Sequence, residues 1–404
     1  MIAAFKPSKA RGTVAAPPSK SMSHRLLICA GLSRGESLVQ NVSLSDDVAA
    51  TVDCLRALGA SIEISGSDAH VCGSDSGFPI PASDLSCRES GSTLRFLIPV
   101  CLLSERKTIL RGREALFRRP LGPYEDVCRK QGLLCVKTAD SLTVQGPLSG
   151  GDFVVAADVS SQFISGLLFA LPLLDQDSRI RLMPPVESRP YIDMTMEALH
   201  TFGVDVSWVD DDSLFVPGGQ VYRPARTQVE GDHSAAAYFL AMNLLGGEVT
   251  VTGLDPDSLQ GDRSCSVFFE QLKQGAPIID ITDCPDLGPV LMAVAAACHG
   301  ATFTGTRRLR FKESDRACVM QQELAKFGAD AVVEENSVRV TSGLLHAPIS
   351  LLEGHNDHRI VMALSVLAAR FGGSINGAEA VRKSLPDFFR RLRELGIDVK
   401  TGDI

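Results

Sequence analysis

With 404 residues, the chain is long enough for two or three domains of ordinary size. Its 45% apolar and 22% charged residues describe a water-soluble protein with large cores. A formal charge of −8 removes the basic face that general nucleic-acid binding requires. The 11 cysteines include no C-x-x-C pair and sit mostly in apolar runs, as at Cys29, Cys101 and Cys298. They read as reduced core residues of a cytoplasmic protein. MIAAFKPSKARG holds no apolar stretch of signal-peptide length. FISGLLFALPLL is too short for a membrane span and contains Pro172, so no membrane partner is expected.

In chain order, the first predicted helix lies in PPSKSMSHRLLICAGLSRGE (17–36). It is apolar from Leu26 to Leu32, which predicts burial, yet Lys20, Ser21, Ser23, His24 and Arg25 crowd its first turns. A helix start carries partial positive charge and favours anions over cations. The cations there point to a negatively charged ligand. Further on, a pattern repeats six times: an amphipathic helix ends at a glycine and enters a short β-like segment. The segments are LRALGASIEI, CRKQGLLCV, LHTFGVDVSW, EQLKQGAPII, ELAKFGADAVV and LRELGIDVK. Gly59, Gly132, Gly203, Gly275, Gly328 and Gly396 are each expected to take the left-handed conformation of a helix C-terminus. Their spacing is nearly even, with one shorter interval.

Each of these helices has a more apolar companion: SKSMSHRLLICAGLS, SGSTLRFLIPVCLLS, SSQFISGLLFALPLL, DHSAAAYFLAMNLLGG, DLGPVLMAVAAACHG and DHRIVMALSVLAARFGG. A strand-like piece follows each, such as GGEVTVTGL or GATFTGTRR. The repeating unit therefore reads β-α-β-α-β-β, with one buried and one surface helix. Three units precede VYRPARTQVEGD and three follow, so that polar stretch with Pro224 is the expected inter-domain hinge. The fold class is α/β, in two similar domains. Like arrangement of the units would bring the buried helices' N-termini together in each domain. Two such domains would enclose an anion site in a cleft.

Four stretches carry chemistry. PPSKSMSHR supplies Lys20, Ser21 and Arg25, and VSSQF supplies Ser160, Ser161 and Gln162. RLRFKESDR supplies Lys312, Glu313 and Arg316, and HNDHR supplies Asp357, His358 and Arg359. Taken singly, each has a plainer reading. Asp286 and Asp357 suit helix N-caps, as do Ser160 and Ser161. Glu313 and Arg316 suit a surface salt bridge. Gly91 suits close helix packing, and His358 reads as a packed histidine. Their joint occurrence argues otherwise.

Together with Arg119 of FRRP, Asp286 of CPDLG and Lys383 of VRKSLPDFF, these motifs resemble the 5-enolpyruvylshikimate-3-phosphate synthase family, in order along nearly the whole chain. The resemblance implies two globular domains, each of three β-α-β-α-β-β units around a pseudo-threefold axis, with the active site in the cleft between them. The N-terminal strand joins the second domain in that family. This places residues 19–228 in one domain and 1–18 plus 229–404 in the other, with hinges near 18 and 228. The implied reaction moves the enolpyruvyl group of phosphoenolpyruvate to the 5-hydroxyl of shikimate 3-phosphate, on the way to chorismate and aromatic amino acids.

By the same resemblance, Lys20, Gly91, Arg119, Gln162, Arg316, Arg359 and Lys383 hold phosphoenolpyruvate. Ser21 and Arg25 hold the shikimate carboxylate, and Ser160, Ser161 and Ser188 its phosphate. Lys20, Lys312 and Asp286 also reach shikimate 3-phosphate. Asp286 is the implied base; Glu313, with Lys312 or Lys20, is the implied acid. No metal or other cofactor is implied, and a cytoplasmic monomer is expected. Two positions depart from the family pattern: Glu89 and Arg308 stand where Asn is common. Glu89 is expected to turn away or to pair with Arg88 or Arg95. The rival transferase, acting on UDP-N-acetylglucosamine, typically has Asn after the first lysine and a loop cysteine. Here Ser21 follows Lys20, and REALFRRP has no cysteine. A non-catalytic phosphosugar binder would gain nothing from Asp286 and Glu313 among its cations.

Overall fold

The computed structural model describes residues 1–73 and 84–402. The chain divides into two compact units. A central unit spans 18–230, and a terminal unit combines 1–17 with the chain from 231 onward.

The central unit contains α1 (Lys20–Leu32), α2 (Asp46–Ala57), α3 (Gly91–Cys101), α4 (Glu114–Phe117), α5 (Gly122–Gln131), α6 (Gln162–Ala170) and α7 (Arg189–Thr201). Helices α1, α3 and α6 are buried along almost their whole length, as their unbroken apolar runs require. Helices α2, α5 and α7 each turn one apolar face inward. Three four-stranded sheets surround them, all with the same order. In the first, Gly35–Gln40 pairs in parallel with Arg226–Gln228 and antiparallel with Asp68–Gly73, which pairs with Ser61–Ser65. The other two sheets repeat that pattern around Thr108–Arg111 and Ser178–Met183. The polar stretch expected as the inter-domain hinge thus also contributes a strand, Arg226–Gln228. Val229 remains tied to this unit as well, its N–H donating to Gln40 and its carbonyl accepting from Asn41 Nδ2.

The terminal unit contains α8 (His233–Ala241), α9 (Cys265–Gln274), α10 (Gly288–Ala297), α11 (Arg316–Lys326), α12 (His358–Phe371) and α13 (Phe388–Glu394). Its sheet around Ala301–Thr304 has the same four-strand order. The sheet around Gly373–Asn376 does too, but its third strand is Ile2–Phe5, lying between that strand and Val399–Gly402. The chain's first strand thus takes the place that a hairpin strand fills elsewhere. The third sheet is a bare parallel pair, Arg11–Ala15 with Glu248–Thr252.

That reduced sheet corrects one expectation. Five of the six glycines at the helix ends have positive φ, from 69° to 100°, but Gly275 has φ 170° and is extended. No hairpin follows α9. The backbone runs straight through Pro277 into Ile278–Asp280, a strand paired in parallel with Ala301–Thr304. A left-handed reversal has no strand to enter here, and the missing hairpin explains the shorter interval between Gly275 and Gly328.

Candidate active site

In the central unit, site residues lie at the starts of the buried helices α1, α3 and α6 and at the start of α7. Ser19 caps α1 by accepting the Met22 N–H at 3.3 Å. The next residue, Lys20, places Nζ 2.9 Å from Asp47 Oδ2 in the first turn of α2. The cation at this helix start thus has a protein carboxylate beside it; Asp46 and Asp47 after the Ser45 cap were its signal in the sequence.

Arg25, one turn on, is 2% exposed. Nε donates to Thr195 Oγ1 at 2.9 Å, and the terminal nitrogens donate to the carbonyls of Ser21 (2.7 Å) and Tyr191 (2.9 Å). The guanidinium lies over the Phe96 ring, 5.2 Å from its centroid. All these partners are formally neutral. Burial pulls the Arg25 pKa down to about 10. Neighbouring His24 is fully buried and held neutral, by burial first and then by the charges of Lys20 and Arg25. Its Nδ1 meets Thr51, which continues through Thr93 to Ser90, the cap of α3.

Gly91 begins α3, and a side chain there would push on the arginine tips above it. A Cβ would lie 2.8 Å from the Arg119 guanidinium and 3.3 Å from that of Arg95. Arg95 donates to Gln162 Oε1 at 2.7 Å, and Gln162 Nε2 donates to Ser92 at 2.9 Å. Ser160 Oγ accepts the Gln162 N–H at 3.3 Å, whereas Ser161 makes no side-chain cap. Ser188, buried at the start of α7, has φ 58°, a left-handed conformation that a non-glycine residue rarely adopts. Glu89 Oε1 meets Arg113 NH1 at 2.8 Å, a partner not expected for it, while Arg88 meets Asp53 at 2.6 Å. Arg113 immediately precedes α4 and is largely exposed.

The terminal unit's site residues are arranged differently. Asp286 sits in a 3-10 turn (Pro285–Leu287) just before α10 and is not a helix cap. Its Oδ1 meets Arg316 NH1 at 2.8 Å and Lys312 Nζ at 3.2 Å; its Oδ2 meets Arg359 NH2 at 3.0 Å. Arg316 is 1% exposed, so its link to Glu313 is buried rather than a surface bridge. Nε donates to Asp357 Oδ2 at 2.9 Å, and NH2 donates to Glu313 Oε2 at 2.6 Å. Against burial, which opposes its charge, Asp357, Glu313 and Asp286 raise the pKa of Arg316. Asp357 also caps α12, accepting the Arg359 N–H at 2.9 Å. Burial lowers the pKa of Lys312, with Arg316 and Arg308 adding to the effect and Asp286 and Glu313 opposing it. Lys383 Nζ donates to the carbonyl of Asn356 at 2.6 Å, beside Asp357. Arg308 is buried and donates to the carbonyl of Thr282 in the loop leading to Asp286.

Within the central unit the structure therefore groups Ser21 with Arg25, and Gly91 and Arg119 with Gln162 and Ser160. Within the terminal unit it groups Asp286, Lys312, Glu313, Arg316 and Arg359. Asp47, Thr195 and Tyr191 were missed. The last two lie on α7, far along the chain from α1, and no local pattern links them. Among the described residues, no helix is long and apolar enough to cross a membrane.

The two-unit architecture of repeated α/β modules is that of solved EPSP synthases. Two structures of that enzyme from Acinetobacter baumannii match with TM-scores of 0.81 and 0.80, at 22% identity. They cover 100% of this chain, and 99% and 100% of theirs. Residues 5–273 and 266–392 match the family described as EPSP synthase (3-phosphoshikimate 1-carboxyvinyltransferase). The 3-phosphoshikimate 1-carboxyvinyltransferase of Clostridium kluyveri is 39% identical over 98% of this chain and 97% of its own length. That of Clostridium acetobutylicum is 38% identical, with the same coverage. The chain belongs to the EPSP synthase family, as its ordered motifs indicate.

Proposed function

We propose that this chain transfers the enolpyruvyl group of phosphoenolpyruvate to the 5-hydroxyl of shikimate 3-phosphate and releases phosphate. The observation that carries the reading is Asp286, a carboxylate bonded to Lys312, Arg316 and Arg359 at 2.8 to 3.2 Å. A site that only bound anions would not keep a carboxylate among its cations. In the transfer, the hydroxyl oxygen bonds to the phosphate-bearing carbon of phosphoenolpyruvate and gives up its proton, and the methylene carbon takes one. Loss of a proton from that carbon then expels phosphate and restores the double bond. Asp286 is the base for the hydroxyl. Glu313, with Lys312 or Lys20, handles the proton at carbon.

Both substrates carry a carboxylate and a phosphate, so cations do the electrostatic work. Lys20, Arg119, Gln162, Arg359 and Lys383 take phosphoenolpyruvate, and the absent side chain at Gly91 leaves it space. Ser21 and Arg25 take the shikimate carboxylate, and Ser160, Ser161 and Ser188 its phosphate. Arg316 donates from all three nitrogens to protein carboxylates. It thereby orders Asp286 and Glu313, and with five N–H donors its guanidinium keeps one on NH1 for phosphoenolpyruvate. These roles fall on residues of both units.

Phosphate release is the test. Phosphoenolpyruvate with shikimate 3-phosphate should release phosphate, and with UDP-N-acetylglucosamine should not. Release with the nucleotide sugar, or with neither acceptor, would overturn the reading.

A further inference from the structure

Glu323 lies on α11, two turns beyond Arg316, outside the substrate-binding and catalytic groups assigned above. Its carboxylate is 2% exposed and fully engaged. Both oxygens accept from Lys326 Nζ at 2.9 Å; Oε2 also accepts the Glu353 N–H at 3.0 Å, and Oε1 lies 3.1 Å from His355 Nε2. Two of these partners lead into α12: Glu353 ends the strand Leu352–Glu353, and His355 lies in the turn after it.

That turn is strained. His355 and Asn356 have φ of 49° and 52°, two successive non-glycine residues in left-handed geometry. Such residues persist only where their surroundings impose the conformation. Gly354 before them is fixed by crowding: a Cβ there would lie 2.6 Å from Val361 Cγ2 and 2.9 Å from the Asn376 carbonyl. The outputs of the turn are functional. Asn356 offers its carbonyl to Lys383 at 2.6 Å, and Asp357 takes Arg316 at 2.9 Å while capping α12.

We infer that Glu323 is a positioning residue: by clamping Glu353 and His355 it holds the strained turn that sets Lys383 for phosphoenolpyruvate. This rests on the assignment of Lys383 under the proposed function. A buried carboxylate that served only to neutralise Lys326 would need no contact with the turn.

The test uses the full chain with Glu323→Gln and His355→Asn. Gln keeps the volume of Glu323 but cannot accept from every present donor. Asn tolerates left-handed geometry, and its shorter side chain gives up the contact to Glu323. Both variants should raise the KM for phosphoenolpyruvate roughly tenfold, with kcat and the KM for shikimate 3-phosphate changing less than about threefold. Hydrogen exchange of the amides from Glu353 to Asp357 should quicken in both, whether or not substrate is present. If Glu323→Gln does not fold, His355→Asn carries the test. Unchanged exchange in a folded variant, or an active variant with an unmoved KM for phosphoenolpyruvate, overturns the inference. A wild-type protein that releases no phosphate instead overturns the function itself, and the exchange result still decides the role of Glu323.

Discussion

Arg25 of the central unit and Arg316 of the terminal unit are both buried guanidiniums in the first turns of helices, with opposite surroundings. Arg25 donates to a hydroxyl and two carbonyls, and burial lowers its pKa. Arg316 donates to Asp286, Glu313 and Asp357, which raise its pKa against the pull of burial. A cation held by neutral groups keeps its charge for a ligand. A cation held by three carboxylates uses its charge to order them. On the roles proposed above, Arg25 is a cation kept for an anionic ligand and Arg316 one that orders the carboxylates of its own unit, while Arg359 and Lys383 supply that unit's charge for an anion.

The sharpest way to break that contrast is to remove a proton-transfer group without removing its shape. Asp286→Asn should lower turnover by roughly 10²–10⁴, the range for a general acid or base, with the circular dichroism of the wild type. Near-normal turnover would make the terminal half another anion site and erase the difference. Next is stability. Arg316→Met takes the guanidinium partner from Asp357, which is fully buried, and removes one cation from Asp286 and from Glu313. Breaking a buried ion pair from one side typically costs about 3–5 kcal/mol, so urea denaturation should show a loss of that order.

Arg25→Met supplies the counterpart. A basic group whose folded pKa lies below its unfolded value is destabilised by its charge. That penalty is present in full below the folded value, about 10 for Arg25, and fades only as pH rises toward the unfolded value. At neutral pH the variant should therefore unfold within about 1 kcal/mol of the wild type, or later, because relief from desolvation offsets the lost hydrogen bonds. Its affinity for shikimate 3-phosphate should fall by about 2–5 kcal/mol in calorimetry, with less effect on phosphoenolpyruvate. Equal destabilisation by Arg25→Met and Arg316→Met would dissolve the distinction between the halves.

Much of this was legible in the sequence, for physical reasons. Buried helices are continuous apolar runs, and helix ends that reverse need glycine, so the six modules and their order could be read directly. Gly275 misled because its neighbours alone do not tell whether a hairpin follows. The chemical motifs were legible because each is local: Lys20 with Arg25, Lys312 with Arg316, Asp357 with Arg359. The assignments that failed were those of partners. Arg316 and Asp357 are 41 positions apart, Arg25 and Thr195 170 apart. Nothing periodic couples them, and only the fold decides that Asp286 meets three cations instead of capping α10. Glu323 was illegible for the same reason: its sequence context, an acid and a lysine three apart on an amphipathic helix, is that of an ordinary surface pair.

The smallest expected effect probes the edge of the anion-attracting half. Glu89 places a carboxylate two residues from Gly91, where Arg95 and Arg119 converge, and its charge opposes that of an incoming anion. The structure tempers this, because Arg113 meets Glu89 at 2.8 Å. Arg113 is 75% exposed, however, and a pair so open to water contributes little, about 0–1 kcal/mol. Glu89→Asn should therefore tighten phosphoenolpyruvate binding by about two- to fivefold, the effect of one partly screened charge a few ångströms away. The gain should shrink as salt is raised, since screening weakens the same repulsion. Arg113→Ala should do the reverse, weakening binding by a similar factor while changing stability by less than about 1 kcal/mol. A tenfold or larger gain in Glu89→Asn that ignores salt would mean that Glu89 meets the ligand directly. The central unit would then carry, beside Asp47, an acidic group in contact with the ligand, and its contrast with the terminal unit would have to be redrawn.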